Sequence, residues 1–245
     1  MIRIRSSVWA HGGDFDDPLL LWYARGVGAL QARQLADARS WRFMAAIHGF
    51  DEALWTRLGY FLPGEPLPAP AVRAQAWNQC QHQSWYFLPW HRGYVWSLES
   101  LVLDAIVRLG GPPDWALPYW NYSDTDEPNA RQLPPAFARP TLPDGSRNPL
   151  YVTQRYGAGT TPIVLPADDV TLEALDTIRY TGTGSTSTGF GGLRTAFSHG
   201  GTYSGRLEQK PHNIVHVDIG GGTRLNPGLM SVPSIAALDP IFWLH

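Results

Sequence analysis

His82 and His91 stand nine residues apart in the stretch CQHQSWYFLPWHRGY, residues 80 to 94, with the chain's one cysteine, Cys80, two positions before the first of them. His212 and His216, in PHNIVH, are four apart; on a helix their rings share a face, with Cβ atoms about 5–6 Å apart, so the pair can hold one metal ion. The same spacing occurs in zinc hydrolases, where a glutamate after the first histidine is the general base. Asn213 stands at that place here, and protease chemistry loses its base. His48, His82 and His91 are flanked by apolar residues and not by the carboxylates of calcium or magnesium sites. Taken singly, each histidine reads equally well as a core residue whose ring nitrogens meet backbone. Five together, out of eight in the chain, favour a metal, and an all-imidazole set favours copper over zinc in the stability order for nitrogen ligands.

Helices are needed to position these rings. Asp16-Asp17-Pro18 opens a helix into LLLWYARGVGALQARQLADA, with Leu20, Tyr23, Val27 and Leu30 on one face. Ser40 caps SWRFMAAIH, in which Phe43, Met44 and Ile47 share a face with His48, and Gly49 stops it. Residues 91–109 repeat apolar side chains at helical spacing until Gly110-Gly111-Pro112-Pro113 ends the run. Pro211-His212 begins a further helix that Gly220-Gly221-Gly222 breaks, and Asp239-Pro240 starts a last one. Gly59 to Pro70 reads as loop, and the Pro, Gly, Ser and Thr content from Asp124 to Gly205 predicts surface loops with at most a small sheet.

Bulk properties exclude other classes. A chain of 245 residues suits one domain burying roughly 70–75% of its unfolded surface. Charged residues are 16%, well under the usual level of about 25%, while eleven Trp and ten Tyr make the chain strongly aromatic. With net charge −2 and no basic run, a nucleic-acid partner has no electrostatic footprint. No apolar run of membrane-spanning length is present, and the start, MIRIRSSVWAHGGDFDDP, shows no apolar stretch of signal-peptide length. The expectation is a soluble protein, cytoplasmic or exported with a partner. One cysteine excludes an internal disulfide.

FLPWHRGYVWSLE, LEQKPHNIVHVDIGG and DPIFWLH resemble the two copper-binding regions of the tyrosinase family, the type 3 dicopper proteins that include catechol oxidases and haemocyanins. The resemblance runs from about Trp41 to the end of the chain. It implies a mainly α fold, a four-helix bundle holding two copper ions between its helices, with long Pro/Gly-rich loops and little β. His48, His82 and His91 would bind the first copper, His212 and His216 the second. Two cuprous ions would bind O2 as a bridging peroxide, and the reaction would be ortho-hydroxylation of a phenol, oxidation of an o-diphenol to an o-quinone, or both, with O2 reduced to water. A catechol or o-aminophenol oxidase without monophenol activity is the near alternative. Haemocyanin-like O2 binding is the distant one, disfavoured because carriers are larger or built of tandem units.

The resemblance also implies roles around the ligands. Cys-x-His matches the motif that forms a cysteine–histidine thioether in some members, so Cys80 is expected either bonded to His82 or as a buried thiol. Glu208 and Asn213 stand where a glutamate and an asparagine hold a water that helps deprotonate a monophenol; a solvated cap and a turn former are their ordinary readings. Val217 sits at a place associated with substrate choice, its small apolar side chain leaving the entrance open. Partners would be a phenolic substrate, O2 and a copper-delivery protein. The family motif continues DPxFWLHH and takes its third ligand of the second copper from the later histidine, whereas this chain stops at His245, the earlier one. The expectation is therefore a single copper-binding domain, incomplete at its C-terminus, in which His245 is a ligand only if the last turn unwinds, since helical neighbours point about 100° apart.

Overall fold

The computed structural model describes residues 3–159, 161–197 and 201–245, and the described residues are mainly helical. Helix α1 (Pro18–Gln31) starts where Asp17 accepts the Leu19 N–H, and it buries Leu20, Tyr23, Ala24, Val27 and Leu30. It stops where that periodicity stops; the downstream QLADA forms turns. Helix α2 (Trp41–His48) is capped by the Ser40 hydroxyl, which accepts from Phe43 N at 3.0 Å. Two short helices that composition hides follow it. These are α3 (Glu52–Arg57), capped by Asp51, and α4 (Pro70–Ala76), which begins at the proline expected to end a loop.

Helix α5 (Phe87–Arg108) is the longest, and it starts a turn earlier than the apolar spacing predicts. Pro89 does not prevent this, because in the first turn its missing N–H has no intrahelical partner to lose. α1 packs along α5 and against α2. Much of the segment from Asp124 to Gly205 is irregular, as its composition predicts; residues 160 and 198–200 lie outside the described residues. It holds α6 (Pro135–Ala138) and one small parallel pair, β1 (Thr181–Gly182) with β2 (Gly192–Leu193).

Helix α7 (Asn213–Gly220) is preceded by an irregular turn over Glu208–His212 in which Lys210 has extended backbone, so the regular helix begins two residues after Pro211. A short 3₁₀ turn and α8 (Pro233–Ala236) lead to a final 3₁₀ turn, Pro240–Trp243, capped by Asp239. That cap is held from afar. The buried Arg155 guanidinium donates to both Asp239 oxygens, at 3.0 and 2.5 Å, while Asp239 Oδ1 accepts the Ile241 N–H at 3.0 Å.

Candidate metal centre

The structure brings six histidines into two adjoining groups. One ligand atom from each of His48, Cys80, His82 and His91 lies within 4.8 Å of the others, and the same holds for His212, His216 and His245. His48 ends α2, His82 lies in the loop before α5, and His91 sits one turn into α5. Across the gap, the His212 ring centroid is 5.9 Å from that of His82 and 6.1 Å from that of His91. The nine-residue spacing is thereby explained: loop and helix converge on one point where a single helical face cannot.

The geometry fits a metal in each group. Nδ1 of His48 lies 2.8 Å from Pro233 O, Nδ1 of His91 2.8 Å from Phe87 O, and Nδ1 of His216 2.7 Å from Met230 O. A carbonyl only accepts, so each Nδ1 carries the proton and each Nε2 keeps a free lone pair, the arrangement metal-ligating histidines use. His212 Nδ1 finds Asn213 Oδ1 at 3.1 Å. His48 Nε2 and both ring nitrogens of His245 are buried without a hydrogen-bond partner, a costly state that coordination would relieve.

Protonation is disfavoured as well. Burial, reinforced by neighbouring imidazoles, pushes the pKa of His48, His212 and His245 well below the ordinary value. Burial brings His91 and His216 to about 4 against the opposing pull of their carbonyl partners. Neutral imidazoles, with no carboxylate in either group, make a donor set suited to copper.

Two glycines let the carbonyl acceptors approach. A Cβ on Gly49, which follows His48, would meet Ser234 Cα at 2.6 Å and Pro233 O at 3.1 Å. A Cβ on Gly220, at the end of α7, would meet Ser231 N at 2.3 Å and the Met230 carbonyl carbon at 3.0 Å. Each glycine therefore admits the strand of backbone that fixes a histidine.

His245 stands beside the second group with its turn intact. The resemblance takes the third ligand from a later histidine and requires the last turn to unwind before His245 can serve. The structure instead keeps the turn, with His245 N donating to Ile241 O at 3.1 Å, and sets the His245 ring 5.0 Å from His212 and 4.9 Å from His216. The physical reason is the tighter 3₁₀ winding of Pro240–Trp243, which alters the direction in which the residue after the turn points.

Cys80 is fully buried, its Sγ 3.3 Å from Nδ1 and 3.8 Å from Nε2 of His82 and 3.5 Å from Nε2 of His91. The sulfur thus approaches both nitrogens that flank Cε1 of His82. Burial, and next the charge of Glu208, push the thiol pKa up.

A cavity of about 350 Å³ opens onto both groups, lined by His48, His82, His212 and His216 and by Glu208, Asn213 and Val217. Glu208 is buried, both its oxygens accept the Gln83 N–H at 2.9 Å, and burial raises its pKa against the hydrogen bonds from Gln83, Ser204 and Gly205. Glu208 is therefore not a solvated cap, while Asn213 is exposed at the first position of α7. Val217 is 60% exposed. Sequence reasoning missed Gln83, whose φ of 55° tightens the loop carrying His82, and Phe242, whose ring packs edge-on at 4.9 Å against His48 and at 5.8 Å from His216. Phe242 lies inside the DPIFWLH motif and was findable there; a backbone carbonyl acceptor leaves no trace in sequence.

Residues 38–245 match the family described as the common central domain of tyrosinase. A tyrosinase of Hahella sp. (strain CCB-MM4) is 38% identical over 243 residues, covering 95% of this chain and 49% of that protein. A chloroplastic polyphenol oxidase of Vicia faba is 27% identical over 247 residues, 94% of this chain and 36% of that one. Among solved structures, latent apple tyrosinase superposes with a TM-score of 0.66 at 24% identity, covering all of this chain and 50% of that one. An active aurone synthase, whose description names a copper B site, superposes at 0.65 with 23% identity, over 99% of this chain and 68% of that one. The chain thus spans about half the length or less of these curated relatives. No helix of the described residues is long and apolar enough to cross a membrane. A profile match over most of the chain, and a tyrosinase relative 38% identical along 95% of it, show that this protein belongs to the tyrosinase family.

Proposed function

We propose that the chain is the catalytic part of a copper-dependent phenol oxidase, with His48, His82 and His91 holding one copper ion and His212, His216 and His245 the other. The observation that carries this reading is the pair of three-imidazole groups facing one another beneath a shared cavity. Copper bound there would supply the redox chemistry that lets O2 oxidise a phenol. The protein's own contribution is to hold neutral, pre-oriented imidazoles on carbonyl and amide acceptors and to keep the pocket shaped around them.

Within the cavity, a phenol enters past Val217, whose exposed apolar side chain offers no charge to select or repel it. Glu208, kept protonatable by burial, together with the amide of Asn213, would orient a water that takes the hydroxyl proton of a monophenol. An o-diphenol is more acidic and needs this help less. Monophenol hydroxylation followed by diphenol oxidation is therefore the preferred assignment over diphenol or o-aminophenol oxidation alone. The contact of Cys80 with His82 supports a thioether in the mature site, in which an S–C bond replaces the thiol S–H and one ring C–H and O2 takes up the two hydrogens with their electrons. The depth of the ligands supports loading by a copper-delivery partner. Oxidation of tyrosine, catechol and an o-aminophenol, compared side by side on copper-loaded protein, tests the reading. Turnover of none of them would overturn it.

A further inference from the structure

Part of the chain's aromatic content stands in a row that begins at the first histidine group. Trp90 and Tyr94 lie on α5, where the Trp90 ring centroid is 4.9 Å from that of His91 and the Tyr94 ring stacks on His48 at 6.2 Å. These two rings are 4.8 Å apart, Tyr94 is 4.6 Å from Trp243, and Trp243 is 5.7 Å from Trp41. Every step falls within the separations at which aromatic rings pack in contact. Trp41 and His48 are the first and last residues of α2, so the row leads from the candidate metal centre to the far end of that helix. There Trp41 walls a cavity of about 510 Å³ that carries the exposed Arg147 and Thr153 and shares no residue with the proposed phenol pocket.

Indoles and phenols give up an electron more readily than other aromatic side chains, and rings in contact pass one on quickly. The fate of the proton decides where the charge rests. Trp41 Nε1 donates to Leu238 O at 3.0 Å, Trp243 Nε1 to Ala237 O at 3.1 Å, and the Tyr94 hydroxyl to Met44 O. A backbone carbonyl accepts a hydrogen bond but is too weak a base to take the proton away. An oxidised indole here therefore keeps its proton and its charge stays free to move. A phenol is easily oxidised only when its proton can leave, so Tyr94 acts as a bridge between indoles, and Trp243 and Trp41 are the places where charge stops.

We propose that this row is an electron path, by which oxidising equivalents formed from O2 at the histidine groups when no phenol is bound are discharged at the Trp41 cavity and not on the histidines. The proposal rests on the copper oxidase reading for its oxidant. An electron leaves Trp243 for that oxidant and is replaced from Trp41, whose indole becomes a radical cation. A one-electron donor of the ascorbate class at the cavity restores the indole, becoming a radical itself and releasing a proton to water. Four electrons delivered this way, with as many protons as the donors release, take one O2 to two waters.

A photo-oxidant at the cavity tests conduction without O2 or phenol. Cys80 is buried, so in Thr153→Cys a thiol-reactive ruthenium polypyridyl attaches at position 153 alone. After flash and quench, the cuprous protein should return an electron to the ruthenium with a transient indole-radical absorption. Trp243→Phe, whose phenyl ring is much harder to oxidise, should slow that return many-fold, and Tyr94→Phe should leave it nearly unchanged. Trp41→Phe, a second break in the row, should act as Trp243→Phe does and serves where that variant fails to fold. In aerated copper-loaded protein without phenol, peptide mass spectrometry should find oxygenated Trp41, suppressed by ascorbate, and in Trp243→Phe the damage should move to His48, Trp90 and His91.

No indole radical after the flash, or an electron return untouched by Trp243→Phe and Trp41→Phe, would overturn the path. Conduction in the flash experiment with Trp41 left intact in aerated copper-loaded protein would overturn its protective role. Failure to oxidise any phenol in a protein that conducts would instead overturn the oxidase reading, and the path's oxidant with it.

Discussion

Nδ1 of His212 donates to Oδ1 of its neighbour Asn213 at 3.1 Å. The residue standing where a zinc protease would carry its catalytic glutamate is thus the orienting partner of a proposed ligand histidine. Three of the other imidazoles use a backbone carbonyl for this purpose, whereas the orientation of His212 rests on a side chain that a substitution can remove. Asn213→Leu should weaken metal binding at the second group by about 10–100-fold and leave the first unaffected, as competition with a copper chelator would reveal. Equal weakening at both groups would contradict this assignment.

Glu208 braces the loop carrying His82 through the Gln83 N–H and also lines the proposed phenol pocket. Glu208→Gln keeps an acceptor for that N–H but removes the carboxylate proposed to orient the proton-accepting water. Monophenol hydroxylation should fall by roughly 10²–10⁴, the value of a positioned general base, and diphenol oxidation much less. A parallel fall in both rates, measured on tyrosine and catechol, would assign Glu208 to the brace alone.

The contact between Cys80 Sγ and His82 has a mass signature. After copper loading in air, a peptide containing both residues should be lighter by two hydrogen masses and refuse alkylation at Cys80. Full alkylation under denaturing conditions would remove the thioether from the account.

The buried pair of Arg155 and Asp239 secures the turn before His245. Breaking such a pair leaves a buried charge uncompensated, so Asp239→Ala should cost about 3–5 kcal/mol of stability, read from denaturant unfolding of the metal-free chain. Where the variant still folds, it should also lose metal from the second group first.

Much of this was legible in residues. The starts of α1 and α2 follow from Asp17 and Ser40, and most of α5 from its apolar spacing. α3 and α4 were not, because helices of six and seven residues draw their stability from tertiary contacts more than from propensity. His48, His82, His91, His212 and His216 were recognisable as candidates from motif and spacing. The place of His245 was not, since it depends on a 3₁₀ turn whose cap is held by Arg155, 84 positions away in sequence. Nor could the histidine tautomers be read, because Pro233, Phe87 and Met230 contribute carbonyls that any residue type could supply.

The central claim is that six imidazoles of this chain form two copper sites, and native mass spectrometry of copper-loaded protein tests it most directly. The account predicts two copper ions per chain, falling to one in His245→Ala and to one in His48→Ala. A single copper per chain, unchanged by His245→Ala, would contradict it.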